Sequence, residues 1–147
     1  MDPEFDKAYE AALAMLRMTD RFESEIRRRL GAYSTETVDA VIGRLRDRGI
    51  LNDQRSATRY FEDRTGRHAL GSTRIAGQLE RRGAPQEVID SVVQQVDDTK
   101  VAMSLLRSER GLTPADRGRA GRMLIRKGVD PDLVDSCLDR YFEGELS

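Results

Sequence analysis

The five residues Leu79-Glu80-Arg81-Arg82-Gly83 have a counterpart in Leu124-Ile125-Arg126-Lys127-Gly128, 45 residues further along the chain. At the same offset, Val88-Ile89-Asp90-Ser91 corresponds to Leu133-Val134-Asp135-Ser136. A more distant copy, Thr37-Val38-Asp39-Ala40, lies nearer the start of the chain. Repeats of this length are typical of arrays in which each unit packs mainly on its neighbours. The pattern therefore predicts three tandem copies of one unit.

The apolar residues within these copies follow the period of an α-helix. Val38, Val41, Ile42 and Leu45 stand at positions i, i+3, i+4 and i+7. The same spacing returns between residues 88 and 96, where the valines alone could suggest a strand. A spacing of 3.6 residues favours a helix in each case.

Residues that typically begin and end helices occur at regular places. Thr113 and Asp130 each precede a proline, which is typical of an N-cap followed by a proline in the first turn. Glycine follows an amphipathic run with Arg or Lys in its last turn at three places, where its left-handed conformation can close a helix; these are Gly49, Gly83 and Gly128.

We therefore predict an all-α fold of about nine helices, arranged as three tandem three-helix repeats that form an elongated, curved array. The first repeat spans residues 6–51, the second 52–96 and the third 97–143. We interpret residues 1–5 as a cloning remnant and residues 144–147 as a tail.

Composition excludes several classes of protein. The chain has 147 residues and a formal net charge of -1. Its single Cys excludes a disulfide framework. One Cys and one His are too few ligands for a zinc site. No apolar run approaches the roughly 18 residues needed to span a bilayer. We expect no metal, no cofactor and no membrane contact. A lone thiol and the lack of an export signal predict a cytoplasmic protein.

Nothing in the sequence specifies an enzyme, and we predict no catalytic residue. His68 stands in a polar stretch with no nucleophile or carboxylate at a recognisable spacing, so we expect a surface histidine. Cys137 takes a core position of the repeat, which predicts a buried structural thiol. Three carboxylates recur at one repeat position, where we expect a surface or packing role; they are Asp39, Asp90 and Asp135.

Charge is distributed unevenly along this nearly neutral chain. Residues 107–127 carry seven basic against two acidic side chains, residues 55–82 carry seven Arg against three acids, and residues 128–147 carry six acids against one Arg. Basic helices can contact phosphates or an acidic protein surface, whereas a solvated face with internal ion pairs is the alternative. The predicted contact residues are Arg27, Arg28, Arg74, Arg81, Arg82, Arg119, Arg122, Arg126 and Lys127.

Three stretches carry a resemblance to a known family when they are taken in order. They are residues 24–30 (Ser-Glu-Ile-Arg-Arg-Arg-Leu), residues 49–53 (Gly-Ile-Leu-Asn-Asp) and residues 124–128 (Leu-Ile-Arg-Lys-Gly). With the helical residues around them, they resemble RecX proteins from about residue 8 to residue 142. Two positions depart from the family pattern. Ser56 replaces the usual phenylalanine of the core, which predicts looser packing of the second repeat, and Asn52, which can still cap a helix, replaces the first acid of an Asp-Asp pair.

The resemblance implies three tandem three-helix repeats and a partner, the bacterial recombinase RecA. As it further implies, the protein lodges in the groove of the RecA filament on DNA and inhibits recombination, ATP hydrolysis and co-protease activity. We expect a monomer whose own binding to nucleic acid is weak and non-specific. Two alternatives remain, a helical DNA-binding module that acts without RecA and an α-helical scaffold for another protein.

Overall fold

Helices account for all the regular structure of residues 2–146, which the computed structural model describes. This confirms the predicted all-α class. Two short 3-10 turns, Gly66–His68 and Pro114–Asp116, precede the fifth and eighth helices. No helix in this part of the chain is long and apolar enough to cross a membrane. The helices are α1 (Pro3–Met18), α2 (Glu23–Arg29), α3 (Thr35–Asp47), α4 (Asp53–Glu62), α5 (Ser72–Arg81), α6 (Gln86–Val93), α7 (Asp98–Ser108), α8 (Arg117–Arg126) and α9 (Pro131–Leu146).

The buried apolar side chains fall into three clusters, one for each successive set of three helices. The first joins α1, α2 and α3, the second α4, α5 and α6, and the third α7, α8 and α9. Two buried residues cross between sets: Phe22, just before α2, packs in the second cluster, and Ala69, shortly before α5, packs in the third. Because the sets interlock in this way, the repeat boundaries at residues 51 and 96 stay predictions. The curved, elongated shape also stays a prediction.

The predicted helix ends agree with the backbone. Gly49, Gly83 and Gly128 have φ angles of +70°, +82° and +91°, the left-handed conformation expected after a helix. Asp130 accepts a hydrogen bond from the Asp132 amide at 3.0 Å. Thr113 also takes part in a cap, but the cap encloses the 3-10 turn, and α8 begins only after it.

Residues 2–5 belong to the folded chain, whereas the interpretation of residues 1–5 as a cloning remnant stays a prediction. Asp2 caps α1 by accepting from the Glu4 amide at 3.0 Å, so Asp2-Pro3 begins a helix just as Asp130-Pro131 does. The Glu4 carboxylate accepts from Thr37 Oγ1 at 2.8 Å and from the Ser34 amide at 3.1 Å. These hydrogen bonds lower the pKa of Glu4, and the one from Thr37 has the largest effect. They attach α1 to the start of α3.

Helix α9 continues without a break to Leu146, and the assignment of residues 144–147 as a tail stays a prediction. No proline or positive-φ glycine interrupts the helix near its end, and Gly144 lies within it. Met1 and Ser147 lie outside the described residues.

Ser56 occupies a buried position, as its place in the repeat predicts. Its hydroxyl donates to the Arg21 carbonyl at 3.3 Å. A buried hydroxyl costs little once it has a partner, so the serine attaches α4 to the segment before α2 where the family pattern has an aromatic ring.

A repeated aspartate links each of the first two helix sets to the set that follows it. Asp53 Oδ1 accepts from the Glu23 amide at 2.9 Å, and Asp98 Oδ1 accepts from the Ser72 amide at 2.8 Å. Glu23 and Ser72 are the first residues of α2 and α5, whose amides have no partner within their own helix. Each aspartate therefore supplies an acceptor for the middle helix of the preceding set.

The residue before each of these aspartates caps its own helix. Asn52 Oδ1 accepts from the Arg55 amide at 2.9 Å, and Asp97 Oδ1 accepts from the Lys100 amide at 3.1 Å. The first residue of each pair thus caps its own helix, and the second bonds to the middle helix of the preceding set. Asn52 caps its helix as Asp97 does.

The middle helices α2, α5 and α8 meet end to end. At the joint of α8 with α5, the Gly71 amide donates to the Lys127 carbonyl at 2.8 Å and the Thr73 amide to the Gly128 carbonyl at 3.1 Å. At the joint of α5 with α2, Ser24 Oγ donates to the Gly83 carbonyl at 2.8 Å. The amino end of each helix therefore meets the carboxyl end of the next one, an arrangement that helix dipoles favour.

Replacing Asp53 tests the first of these links. Asp53→Ala removes the acceptor of the Glu23 amide and should lower the free energy of unfolding by about 1–3 kcal/mol. Asp53→Asn keeps an acceptor oxygen and should retain most of that stability. Urea denaturation measures both, with Glu10→Ala as the control, because Glu10 is an exposed residue of α1 that makes no such bond. Equal losses for Asp53→Ala and Asp53→Asn would contradict this role.

The same carboxylate predicts a dependence on pH. Burial raises the pKa of Asp53 above its ordinary value of 3.8, which Arg46 partly opposes. Because the folded state holds this proton more tightly than the unfolded chain, the group's contribution to stability falls as pH rises through the raised pKa. Asp53→Asn should therefore gain stability relative to the parent chain between acid and neutral pH, measured as the difference in urea midpoints. A constant difference across that range would contradict the raised pKa.

The close contact of α8 with α5 predicts unequal effects of two glycine substitutions. A Cβ on Gly128 would overlap the backbone and Cβ of Arg74, whereas a Cβ on Gly49 would meet nothing. Both glycines have positive φ, so both Gly→Ala changes should cost about 1–2 kcal/mol for the backbone. Gly128→Ala should cost more, because it also separates α8 from α5. Thermal unfolding compares them, and equal melting temperatures would show that the joint carries no packing energy.

Candidate interaction surface

The side chains that usually perform catalysis do not converge. His68 is exposed and accepts from Arg67 Nε at 3.3 Å, and Cys137 is buried in the third cluster, so both lie as the sequence predicts. Asp39, Asp90 and Asp135 are exposed on three different helices. Within residues 2–146 no three His, Cys, Asp or Glu side chains come together as a metal site.

Three of the nine predicted contact residues form ion pairs within the chain. Arg27 contacts Glu23 at 3.1 Å and Asp39 at 2.8 Å. These contacts agree with the alternative of a solvated face that carries internal ion pairs. Arg119 lies 3.5 Å from Asp116 in the preceding turn. Such partly exposed pairs contribute little stability, so these two guanidinium groups can exchange partners at small cost.

Arg82 is held more firmly than the other two. Its Nη2 lies 3.0 Å from Glu25 Oε1 and donates to the Asp20 carbonyl at 3.0 Å. The guanidinium also lies over the Phe22 ring, 4.9 Å from the centroid. Only 30% of the side chain is exposed. Arg82 therefore attaches the end of α5 to the segment before α2, a task that charge along the sequence does not reveal.

The remaining six cations make no ion pair with any described residue: they are Arg28, Arg74, Arg81, Arg122, Arg126 and Lys127. Two of them, Arg122 and Arg126, are exposed one turn apart on α8. Ile125 between them is also exposed, at 53%. This outer face of α8 thus presents two unpaired cations beside an apolar side chain.

The joint of α8 with α5 brings two further cations, Arg74 and Lys127, to the carboxyl end of α8. Arg74 lies against Gly128, the residue that follows Lys127. The carbonyl of Lys127 itself accepts the Gly71 amide. Residues that are more than 50 positions apart in the sequence therefore lie side by side, and we call Arg74, Arg122, Arg126 and Lys127 the joint cluster. Arg81 continues from it along α5, while Arg28 lies apart on α2.

Arg28 belongs to a second surface feature that the sequence did not predict. An open groove of about 730 Å³ runs between α1 and α2, with Arg28 and Arg29 on one wall. The other wall is apolar and includes Met15 and Met18, of which Met18 is 84% exposed. The apolar residues of α1 are visible in the sequence, but their position opposite α2 is not.

The predicted acidic helix is partly neutralised by its neighbour. Arg117 at the start of α8 lies 2.8 Å from Asp139 and 3.8 Å from Asp135. The inner side of α8 thus faces carboxylates of α9, while the unpaired cations lie on its outer face. Arg122 and Arg126 thus give α8 a basic outer face, which we call the basic side of the molecule.

Comparison with known proteins shows relatives along the whole chain. The chain is 30% identical to the regulatory protein RecX of Cronobacter sakazakii, with 95% of this chain and 94% of that protein covered. It is also 30% identical to the RecX of Trichlorobacter lovleyi, with coverage of 90% and 94%. A search against protein-family models found no match.

Solved structures agree on the fold. The crystal structure of RecX from Lactobacillus salivarius superposes with a TM-score of 0.79 at 19% identity and covers 98% of both chains. A second crystal structure of a regulatory protein RecX has a TM-score of 0.68 at 22% identity, with 96% of this chain and 73% of that chain covered. With full-length relatives at 30% identity and the same all-helical fold, the chain belongs to the RecX family of regulatory proteins.

Proposed function

We propose that this protein regulates RecA by binding the RecA filament on DNA in its groove. Bound there, it inhibits recombination, ATP hydrolysis and co-protease activity. Membership in the RecX family is the observation that supports the proposal most strongly. The protein acts in the cytoplasm, as a monomer, and its function is regulatory and not enzymatic.

The basic side of the molecule is consistent with such a partner. Six of the nine predicted contact residues make no ion pair within the described part of the chain, and four of them form the joint cluster. A RecA–DNA filament presents a repeating surface that carries phosphates, and cations without internal partners contribute most to binding such a surface. Arg82 contributes less, because binding would first break its contacts with Glu25 and the Asp20 carbonyl.

A helical DNA-binding module that acts without RecA is the second candidate. The joint cluster favours this candidate, because Arg and Lys side chains can bind DNA phosphates in the absence of RecA. The net charge of -1 opposes high affinity on its own, so DNA binding in this view is weak and non-specific. The third candidate is a scaffold for another protein, and the groove between α1 and α2, where Met18 is exposed beside Arg28 and Arg29, is the surface that it would use.

The rate of ATP hydrolysis by RecA on single-stranded DNA tests the proposal. The parent protein should lower that rate when present in stoichiometric amount. The double variant Arg122→Glu/Arg126→Glu should lose most of the inhibition, because it reverses the charge of the outer face of α8. Its matched control is Arg17→Glu/Arg140→Glu, which makes the same change of charge at two exposed arginines outside the nine.

Inhibition by the control but not by the α8 variant is the expected result. An unchanged rate of hydrolysis with the parent protein would contradict RecA regulation. Binding to duplex DNA at physiological salt, with a steep dependence on salt, would then favour the second candidate. Recovery of neither RecA nor nucleic acid from a lysate would favour the third.

A further inference from the structure

The two end-to-end joints occupy corresponding places in the repeat but differ in charge. In the joint of α5 with α2, Arg82 forms an ion pair with Glu25. Lys127 follows Arg82 by the 45-residue repeat, and Arg74 stands before Ile75 as Glu25 stands before Ile26. By sequence position, the second joint thus has Arg74 where the first joint has Glu25. Lys127, the counterpart of Arg82, makes no ion pair with a described residue.

The position of these two cations is fixed by the backbone around them. The Thr73 amide donates to the Gly128 carbonyl at 3.1 Å, and Gly128 lies directly against Arg74. This contact keeps the first turn of α5 beside the last residues of α8. The backbones of Arg74 and Lys127 are therefore neighbours in the folded state.

The carboxylate that bonds to the start of α5 is already engaged. Asp98 is buried and accepts from both the amide and the hydroxyl of Ser72, at 2.8 Å and 2.5 Å. It makes no ion pair with any described cation. Arg74, Arg126 and Lys127 thus bring positive charge to the second joint with no internal carboxylate to balance it.

We propose that the second joint binds a phosphate group of a nucleic acid backbone, which gives Lys127 the negative partner that Glu25 gives to Arg82 in the first joint. The guanidinium of Arg74 offers paired donors to a phosphate, and the ammonium of Lys127 offers a compact charge. This inference rests on the proposed function, because it assigns the DNA contact of the filament to one place on the protein.

The neighbouring residues favour a nucleic acid over a carboxylate of a protein partner. Arg122 and Arg126 extend the cationic surface along α8 with a spacing of one turn, about 5–6 Å. No acidic residue occurs within α8. A row of cations without acids between them matches a polymer that carries one charge per repeating unit, whereas protein surfaces mix both signs.

Arg74→Glu is the most direct test, because it rebuilds the ion pair of the first joint. The new carboxylate should pair with Lys127 and also suits the amino end of α5, so the melting temperature should stay equal or rise. Fluorescence anisotropy with a labelled oligothymidylate at low salt should show binding weakened by about tenfold or more. The slope of log affinity against log salt should become shallower by about 0.7 for each phosphate that the variant no longer neutralises.

Arg17→Glu is the control, since it makes the same change of charge at an exposed residue of α1. It should leave oligonucleotide affinity within about twofold, as expected for a distant charge that salt screens. Equal weakening by both variants would overturn the proposal, as would a parent protein that binds no oligonucleotide at low salt. Loss of binding to RecA without DNA, with unchanged binding to the oligonucleotide, would also overturn it and indicate a protein carboxylate at the joint.

This experiment separates the site from the function. If Arg74→Glu loses oligonucleotide binding while the parent protein leaves RecA hydrolysis unchanged, the phosphate site stands and the RecA proposal fails. If the parent protein inhibits RecA and Arg74→Glu binds DNA normally, the RecA proposal stands and the phosphate site fails.

Discussion

The contact on which the structure depends is the one between the ends of its middle helices. The first amides of a helix have no partner within the helix itself. Here α2 and α5 receive acceptors from the following helix set, namely an aspartate side chain and, for α5, two carbonyls at the end of α8. One arrangement thus satisfies the amino end of one helix and the carboxyl end of the next, and it holds three small cores in fixed order.

The third helix set solves the same problem locally. The Thr113 amide donates to Asp116 at 2.9 Å, which lowers the pKa of Asp116 and closes a 3-10 turn before α8. The Pro114 carbonyl of this turn accepts from the Arg117 amide, so the turn supplies α8 with the kind of acceptor that an aspartate supplies to α2 and α5. The first helix set differs at the opposite end, where Glu4 attaches α1 to α3. Similar units therefore acquire different ends through a few polar contacts, as stacked repeats require.

The sequence predicted whatever depends on neighbours along the chain. Helix periodicity, the glycines after helices and the cap at Asp130 all follow from residues within one or two turns, and the structure agrees with each. The cap at Asp2 carries the same local signal as that at Asp130, and only its place among the first five residues concealed it. The family resemblance rests on the order of such local signals over the whole length, and the full-length relatives confirm it.

Contacts between distant residues were beyond the sequence for a physical reason. Glu25 lies 57 positions before Arg82, and no periodicity connects them, so counting charges along the chain could not show that Arg82 is engaged and Arg74 is not. The role of Asp53 was hidden in the same way, since its partner is a backbone amide 30 positions earlier. A repeat alignment that compares charges at each joint could have found both.

On this account, the basic side of the molecule contacts the RecA filament on DNA. Co-sedimentation with preformed RecA filaments on single-stranded DNA measures this most directly. The protein should enter the pellet in proportion to the filament and remain in the supernatant with DNA alone at physiological salt. A protein that stays in the supernatant at every filament concentration would contradict the account.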